Sequence, residues 1–278
     1  MHTEPPRRAV LLVAAAALLW SSGGLFIKIA PMPALAVACG RALIATAFYL
    51  AVLRPDLRKA RLATAVAYAG CVVTFVTATR LTTAANAIFL QYTGPAYVLL
   101  LSPFLLDEPF RPLDAICVAL SLAGMSLFFI DKLEAGQLAG NLLAALSGVF
   151  FALTVLFIRR DAKSGAGDAM PSMTLGNVLA ALGTAPFAGA LAHLSGTGVL
   201  VLLYLGVMQL GVSYWLFARG VRQVPAAEAS LISMLEPVCN PLWVLIGTGE
   251  RPGPWSIAGG AVVLGAVALR TLIVSPRP

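Results

Sequence analysis

The chain has 278 residues, of which 59% are apolar and 11% are charged, and its formal net charge is +7. A soluble domain is about 45–50% apolar and about 25% charged, so this composition excludes an ordinary soluble protein, and it also excludes a disordered one. A membrane-spanning helix needs about 20 apolar residues, and the length therefore accommodates ten such helices with short loops. In such a protein the basic excess reflects membrane orientation, so no nucleic-acid partner is predicted.

Hydropathy, interrupted by charged and Pro- or Gly-rich stretches, predicts ten transmembrane helices. Predicted helix 1 follows Arg7 and Arg8 as a signal peptide would, but its apolar stretch is too long and no clear cleavage site follows. It is therefore interpreted as a retained span. In chain order, predicted helices 1 to 10 cover residues 8–30, 33–53, 61–81, 83–106, 112–130, 138–158, 169–191, 197–218, 225–247 and 254–274.

The Lys and Arg residues predict the orientation. With the N-terminus inside, fourteen of the nineteen fall on the cytoplasmic side, Arg270 among them, and four fall on the outer side. The remaining one, Arg41, lies within predicted helix 2. Because cytoplasmic loops carry the excess of Lys and Arg, both termini are predicted to lie in the cytoplasm. The protein itself is predicted in the cell membrane, which for a bacterium is the inner membrane.

Cysteines, histidines and nucleotide motifs give no sign of a metal or cofactor. His2 and His193 have no partner at metal-ligand spacing, and the sequence contains no GxxxxGK[ST] loop for ATP. No cofactor and no metal are predicted. Four cysteines lie inside apolar segments without a CxxC pair and are interpreted as packing residues: Cys39, Cys71, Cys117 and Cys239.

The second half of the chain resembles the first. At a shift of 142 residues, positions 75–127 overlay 217–269 without a gap, and the first helices match more weakly at a shift of 131. The most informative shared pairs are Arg80/Arg222, Pro95/Pro237, Glu108/Glu250 and Pro112/Pro254.

This repeat predicts the architecture. Each half has five helices, an odd number, so the second half enters the membrane from the opposite side. The prediction is an all-α integral membrane protein with two inverted-topology five-helix repeats, residues 1–132 and 133–278, as in many secondary transporters. A duplicated membrane protein without transport activity is the alternative.

Several segments resemble the ten-helix drug/metabolite transporter superfamily in its EamA-type branch. They are LLWSSGGLFIKIA at 18–30, RLTTAANAIFLQYTGPAYVLL at 80–100 and VRQVPAAEASLISMLEPVCNPLW at 221–243, and the Glu236-Pro237 pair is their most specific part. The resemblance covers nearly the whole chain and is greatest to bacterial amino-acid exporters, including the aromatic type. It implies a central cavity, export of a small metabolite, and proton or exchange coupling. Because predicted helix 4 carries Gly94-Pro95 instead, a symmetric two-carboxylate mechanism is in doubt.

The predicted binding cavity lies where Pro95 and Pro237 interrupt helices related by the repeat. A mid-helix proline removes a backbone hydrogen bond, and in a membrane the freed carbonyl needs another partner or water. Polar side chains at helical spacing line the same predicted helices, and the converging set indicates a wet cavity, although each alone also fits helix–helix packing. The predicted cavity residues are Trp20, Thr74, Thr77, Gln91, Tyr92, Pro95, Gln209, Ser213, Tyr214, Ser233, Glu236, Pro237 and Asn240.

Two charged residues within predicted helices are singled out. Glu236 is the coupling candidate, because a charge near the bilayer centre costs about 2.5–3.5 kcal/mol and a carboxyl group there is suited to taking up and releasing a proton. It also fits a substrate-amine site or a carboxyl group that fixes the kink. Arg41 either pairs with a substrate carboxylate or an intramembrane acid, or extends to the outer surface; the second interpretation is favoured.

The sequence therefore predicts a secondary active transporter that exports amino acids or related small metabolites by alternating access. Its predicted partners are a small-molecule substrate, the lipid bilayer and protons. A multidrug or other metabolite carrier of the same superfamily is one alternative. An intramembrane enzyme or a non-transporting membrane protein is another, but no nucleophile–base or metal-ligand motif supports an enzyme.

Overall fold

The computed structural model describes residues 5–128, 130, 137–165, 167–248 and 253–274. These residues form helices and connecting turns with no strand among them, which confirms the all-α prediction. Eight helical spans in the described ranges are long and apolar enough to cross a membrane, and Pro112–Leu127 is a shorter apolar helix. The count of ten crossings and the cytoplasmic position of both termini stay predictions.

Fourteen α-helices follow one another along the described chain. The first seven are α1 (Arg7–Ser21), α2 (Gly23–Ile29), α3 (Ala34–Phe48), α4 (Leu62–Leu81), α5 (Ala84–Gln91), α6 (Gly94–Leu106) and α7 (Pro112–Phe128). The second seven are α8 (Leu138–Lys163), α9 (Met170–Thr184), α10 (Gly196–Leu203), α11 (Ser213–Val221), α12 (Ala226–Ser233), α13 (Leu235–Thr248) and α14 (Pro254–Val274). A π-helical segment, Tyr204–Val212, joins α10 to α11, and Tyr49–Leu53 extends α3 in the same way.

Predicted helices 4 and 9 are broken rather than kinked. α5 ends at Gln91 and α6 begins at Gly94, while α12 ends at Ser233 and α13 begins at Leu235. The prediction of mid-helix prolines was wrong, since Pro95 and Pro237 both lie in the first turn of the new helix. There the missing proline N–H has no intrahelical partner to lose, so each proline starts a helix instead of bending one.

Two other predicted helices have different bounds in the structure. Predicted helix 1 is interrupted at Ser22, whose hydroxyl lies 2.8 Å from that of Tyr204. Predicted helix 6 was expected to end at residue 158, but α8 continues to Lys163. Its last turn holds Arg160 and Lys163, where cations interact favourably with the helix dipole.

Helices of the first half of the chain pack mainly on helices of the second half. α4 packs on α8 and α9, and the repeat-related elements pack in the same way, α11 on α1 and the π-helical segment on α3. Likewise α6 packs on α8, while α12 and α13 pack on α1, and α7 packs along α14. The helix breaks of both halves therefore come together near the centre of the molecule.

Candidate functional site

A small cavity lies between the two helix breaks. Its charged and amide lining comes from both halves and consists of Arg41, Gln91, Gln209 and Glu236. The rest of the lining is mostly apolar or aromatic: Trp20, Cys71, Val72, Phe75, Phe151, Leu210 and Tyr214. The cavity has a volume of about 30 Å³, which is room for about one or two water molecules.

Arg41 points into the interior, not towards the outer surface. Its side chain is 1% exposed, so the favoured sequence interpretation was wrong. The guanidinium donates from Nη1 to Gln209 Oε1 at 3.2 Å and from Nη2 to the Val72 carbonyl oxygen at 2.7 Å. Nε has no hydrogen-bond partner in the described part of the chain. These two bonds orient Arg41 at the cavity and leave it a free donor.

The π-helical segment places Gln209 next to Arg41. Wide turns of this kind recur at functional sites, and here the Ser213 hydroxyl donates to the Gln209 carbonyl oxygen. Gly23 of α2 faces Gln209, and a Cβ added there would lie 2.7 Å from Gln209 Nε2. The close approach of a glycine therefore leaves room for the amide that holds Arg41.

Glu236 lies in the first turn of α13 and is buried. The Tyr92 hydroxyl is 2.6 Å from Glu236 Oε2 and 2.8 Å from the Ser233 carbonyl oxygen. A phenol has one proton and a carbonyl oxygen only accepts. With Glu236 ionised, Tyr92 shares its proton between two acceptors; with Glu236 protonated, the carboxyl donates to Tyr92, and Tyr92 donates to Ser233. The same geometry thus accommodates both protonation states.

Aromatic rings form one wall of the cavity. Trp20 packs against Tyr214 with ring centroids 4.8 Å apart and meets Phe151 edge-on at 6.2 Å. Tyr214 also meets Tyr68 at 4.7 Å. Trp20 is 3% exposed, and its Nε1 has no hydrogen-bond partner among the described residues. A buried N–H without an acceptor is costly, so this wall also presents an unused donor at the cavity.

Five of the thirteen predicted cavity residues line the cavity: Trp20, Gln91, Gln209, Tyr214 and Glu236. Tyr92 contacts Glu236 and the Ser233 carbonyl oxygen. Thr74, Thr77 and Ser213 each donate to the carbonyl oxygen four residues earlier, the first two within α4 and the third to the π-helical segment. Pro95 and Pro237 are buried at the breaks, and the side chain of Asn240 lies outside the described residues.

A second, larger cavity opens on the side of the charged loops, which is the predicted cytoplasmic side. It has a volume of about 610 Å³ and reaches inward to Leu99 and Ser102 of α6 and Ala227 of α12. We call it the vestibule. Glu108, at its rim, accepts from Arg159 Nε at 2.7 Å and from the Ala226 backbone N–H at 2.9 Å. Its repeat-related residue, Glu250, lies outside the described residues.

Sequence reasoning missed a buried ionic cluster beside the vestibule. Arg270 of α14 pairs with Asp114 of α7, and its Nη2 lies 3.5 Å from Glu228 Oε2 of α12. None of the three side chains is more than 4% exposed. Arg270 is counted in the sequence analysis among the charges of the cytoplasmic side, and the structure shows that it is buried in ion pairs and is not a loop charge in contact with water. The position of Arg270 inside predicted helix 10 could have indicated a buried charge, but this criterion was applied only to Arg41.

Known proteins show which family this architecture represents. The sequence model of the EamA-like transporter family matches residues 7–130 and again residues 138–272. An uncharacterized transporter of Archaeoglobus fulgidus is 26% identical over 199 residues, which are 71% of each chain. The uncharacterized transporter YwfM of Bacillus subtilis is 29% identical over 167 residues, 59% of this chain and 54% of the relative.

The fold has also been seen before. A solved crystal structure superposes with a TM-score of 0.79 over 96% of this chain and 97% of that chain, at 22% identity, which is a likeness of fold alone. The family match covers most of the chain in two successive segments, each containing one of the broken helices. The chain therefore belongs to the EamA-like transporter family and is a multi-pass protein of the cell membrane.

Proposed function

We propose that this protein is a secondary transporter that exports amino acids, aromatic ones among them, by alternating access through the central cavity. One observation carries the proposal: Arg41 and Glu236 line the same buried cavity. Neither forms an ion pair with an oppositely charged side chain in the described part of the chain. Uncompensated charges are expensive in such an interior, so the pair is suited to a ligand that carries both signs.

A zwitterionic amino acid matches these groups. Its carboxylate would accept from the guanidinium of Arg41 and from the free N–H of Trp20, both of which line the cavity. Its ammonium group would pair with Glu236. The aromatic wall of Trp20, Phe151 and Tyr214 would pack against an apolar or aromatic side chain. The substrate would thereby satisfy the donors and charges that the protein leaves open.

Glu236 would also couple transport to protons. The Tyr92 hydroxyl accommodates both an ionised and a protonated Glu236, as its two contacts indicate. A proton and a substrate ammonium group would therefore compete for one carboxylate. Release of the amine on one side and uptake of a proton there would exchange substrate for proton across the membrane.

The sizes of the two cavities support alternating access. The central cavity has room for about one or two waters, so an amino acid would enter only if the elements around it separate. The vestibule gives an approach from the charged-loop side. We propose that residues 1–132 and 133–278 are inverted halves whose relative rocking opens the central cavity to each side in turn.

Counterflow in proteoliposomes tests the proposal. Vesicles loaded with one unlabelled amino acid should accumulate the same labelled amino acid, and tryptophan, phenylalanine and leucine form the first panel. Tryptamine lacks the carboxylate and indole-3-propionate lacks the amine, so both should be poor substrates. Arg41→Gln should reduce tryptophan counterflow at least 30-fold, because it removes the charge that meets the carboxylate, while tryptamine counterflow should change little.

Thr74→Val is the matched control. Its hydroxyl donates only within α4, to the Gly70 carbonyl oxygen at 2.6 Å and more weakly to that of Cys71, so counterflow should stay within twofold of the wild type. If tryptamine is carried as fast as tryptophan, or if Arg41→Gln leaves tryptophan flux unaltered, the zwitterion site must be abandoned. Absence of counterflow for the whole panel would reject amino acids as the substrate class.

A further inference from the structure

The buried cluster of Asp114, Arg270 and Glu228, which we call the ionic anchor, joins three elements of the molecule. Asp114 is on α7 and Arg270 on α14, which pack along each other, and Glu228 is on α12. α12 is the first half of the broken helix that continues into α13, where Glu236 lies. The anchor therefore ties one half of the broken helix to a helix pair remote from the central cavity.

The anchor also borders the open vestibule. Asp114 and Glu228 are both part of its lining, together with Ala227 of α12 and Ser102 of α6. In this arrangement α12 forms one side of the opening. If closing the vestibule moved α12 relative to α7 and α14, Glu228 would move away from Arg270.

The repeat-related positions of the anchor carry other residues. At the shift of 142 residues, Glu228 corresponds to Asn86, Asp114 to Ser256 and Arg270 to Phe128, and none of these three carries a charge. The hydrogen bonds of Asn86 include those that it donates to Thr82 at 3.0 Å and to Asn141 at 3.1 Å. The anchor is therefore not repeated at the positions that the internal repeat relates to it.

We propose that the ionic anchor stabilises the conformation in which the vestibule is open. Moving Glu228 away from Arg270 would leave an uncompensated charge in a low-dielectric interior. The anchor then contributes to the energy difference between the two conformations of the transporter. This inference relies on the alternating access of the proposed function.

The test measures access to the vestibule without measuring transport. Gln223, which lines the vestibule and is exposed to solvent in the open conformation, is replaced by cysteine, and labelling by a small membrane-impermeant maleimide reports opening. The four native cysteines are replaced by serine or alanine beforehand. Glu228→Gln leaves the Arg270–Asp114 pair intact and neutral, so it should fold, and it should slow labelling of position 223 at least threefold.

Two further variants complete the design. Asp114→Asn leaves Arg270 paired with Glu228. Separating that pair would then leave two buried charges without partners, so labelling should be unaltered or faster. Asp161→Asn is the control, because Asp161 lies 3.5 Å from Arg61 and accepts from Thr64, a pairing at the charged-loop side but outside the anchor. It should leave labelling within 1.5-fold. Each variant must elute as a monodisperse species, with a melting temperature above the labelling temperature.

The outcomes are distinct. Slower labelling in Glu228→Gln, with no slowing in Asp114→Asn or in the control, supports the inference, and slowing in Asp114→Asn as well would overturn it. Labelling that is unaltered or faster in Glu228→Gln overturns it, since the anchor would then be a packing feature without influence on the conformation. Because labelling needs no substrate, failure of the amino-acid panel in counterflow would reject the proposed substrate and leave this result standing.

Discussion

The break between α5 and α6 and the break between α12 and α13 occupy repeat-related positions, yet only the second carries a carboxyl group. Both place a proline in the first turn of the following helix. The residue before the proline is Gly94 in the first break and Glu236 in the second. The two breaks also meet, because Tyr92 of the first contacts Glu236 and the Ser233 carbonyl oxygen of the second.

The difference shows how a duplicated scaffold acquires a carboxyl group at only one of two similar positions. Duplication supplies two similar breaks that approach each other, and a substitution at one of them supplies the charge. At the first break, atoms of α8 lie where a side chain of residue 94 would be. A Cβ at Gly94 would lie 3.0 Å from both the Gly148 carbonyl oxygen and Phe151 Cδ1, so a side chain there requires small shifts of α8 or of the Phe151 ring. The first break is thus closely packed against α8, and the second carries the carboxyl group to which we assign the chemistry.

The largest expected effect comes from removing the feature that distinguishes the second break. Glu236→Gln keeps the shape of the side chain and a group that accepts from Tyr92, but it can neither hold a proton nor pair with an ammonium group. We expect counterflow of amino acids to fall at least 100-fold, while the protein still folds and inserts. Flux is measured in proteoliposomes and folding by thermal unfolding in detergent. Wild-type flux in this variant would assign Glu236 a structural role.

Much of the fold was predictable from the sequence because hydrophobic transfer dominates in a membrane. Charged residues separate the apolar segments of the chain, so most predicted spans coincide with observed helices to within a few residues. Predicted span 61–81, for example, coincides with Leu62–Leu81. The proline pair likewise located the breaks of both halves. Hydropathy indicates where an apolar span lies, but it did not predict the interruptions within predicted helices 1, 4 and 9.

Which face each helix turns inward was harder to predict. α4 is apolar on all sides, and its hydroxyls at Thr74 and Thr77 are satisfied by their own helix, so they did not mark the cavity face. Cys71 and Phe75 face the cavity instead. No polar pattern distinguishes them, because spacing of i and i+4 describes a stripe without saying what it packs against.

The ionic anchor shows a second limit. Asp114 and Glu228 lie near the start of their helices, where acidic residues are ordinary, and Arg270 near the end of its helix resembles a cytoplasmic flanking charge. Arg270 and Asp114 are separated by 156 positions in the sequence. Only the three-dimensional packing of α7, α12 and α14 shows that these charges are buried partners.

The close packing of the first break gives the second prediction. Gly148 of α8 faces this break, and a Cβ added there would lie 2.7 Å from the Gln91 carbonyl oxygen and 3.1 Å from that of Leu90. Backbone atoms must shift to admit it, so Gly148→Ala should lower the free energy of unfolding by about 1–3 kcal/mol, measured in detergent. At the second break, the position in α1 that corresponds to Gly148 at the shift of 131 is Ala17, which already has a Cβ.

Gly183→Ala is the control for this prediction. Gly183 of α9 has open space around the added Cβ, and alanine is the better helix former by about 1 kcal/mol. This variant should therefore match or exceed the wild type in stability. Equal melting temperatures for Gly148→Ala and the wild type would contradict the difference between the two breaks.

The smallest expected effect concerns the contact that joins the breaks. Tyr92→Phe removes one hydroxyl whose partners are Glu236 and the Ser233 carbonyl oxygen. A hydrogen bond of this kind contributes about 1 kcal/mol, so transport should fall about fivefold and not 100-fold. Ser233→Ala tests whether the carbonyl rather than the hydroxyl of Ser233 matters, since its Oγ donates only to the Ala229 carbonyl oxygen at 2.9 Å. The flux of Ser233→Ala should stay within twofold of the wild type. A loss as large as that of Tyr92→Phe would show that transport depends on the Ser233 hydroxyl, and would contradict a role limited to the Ser233 carbonyl oxygen.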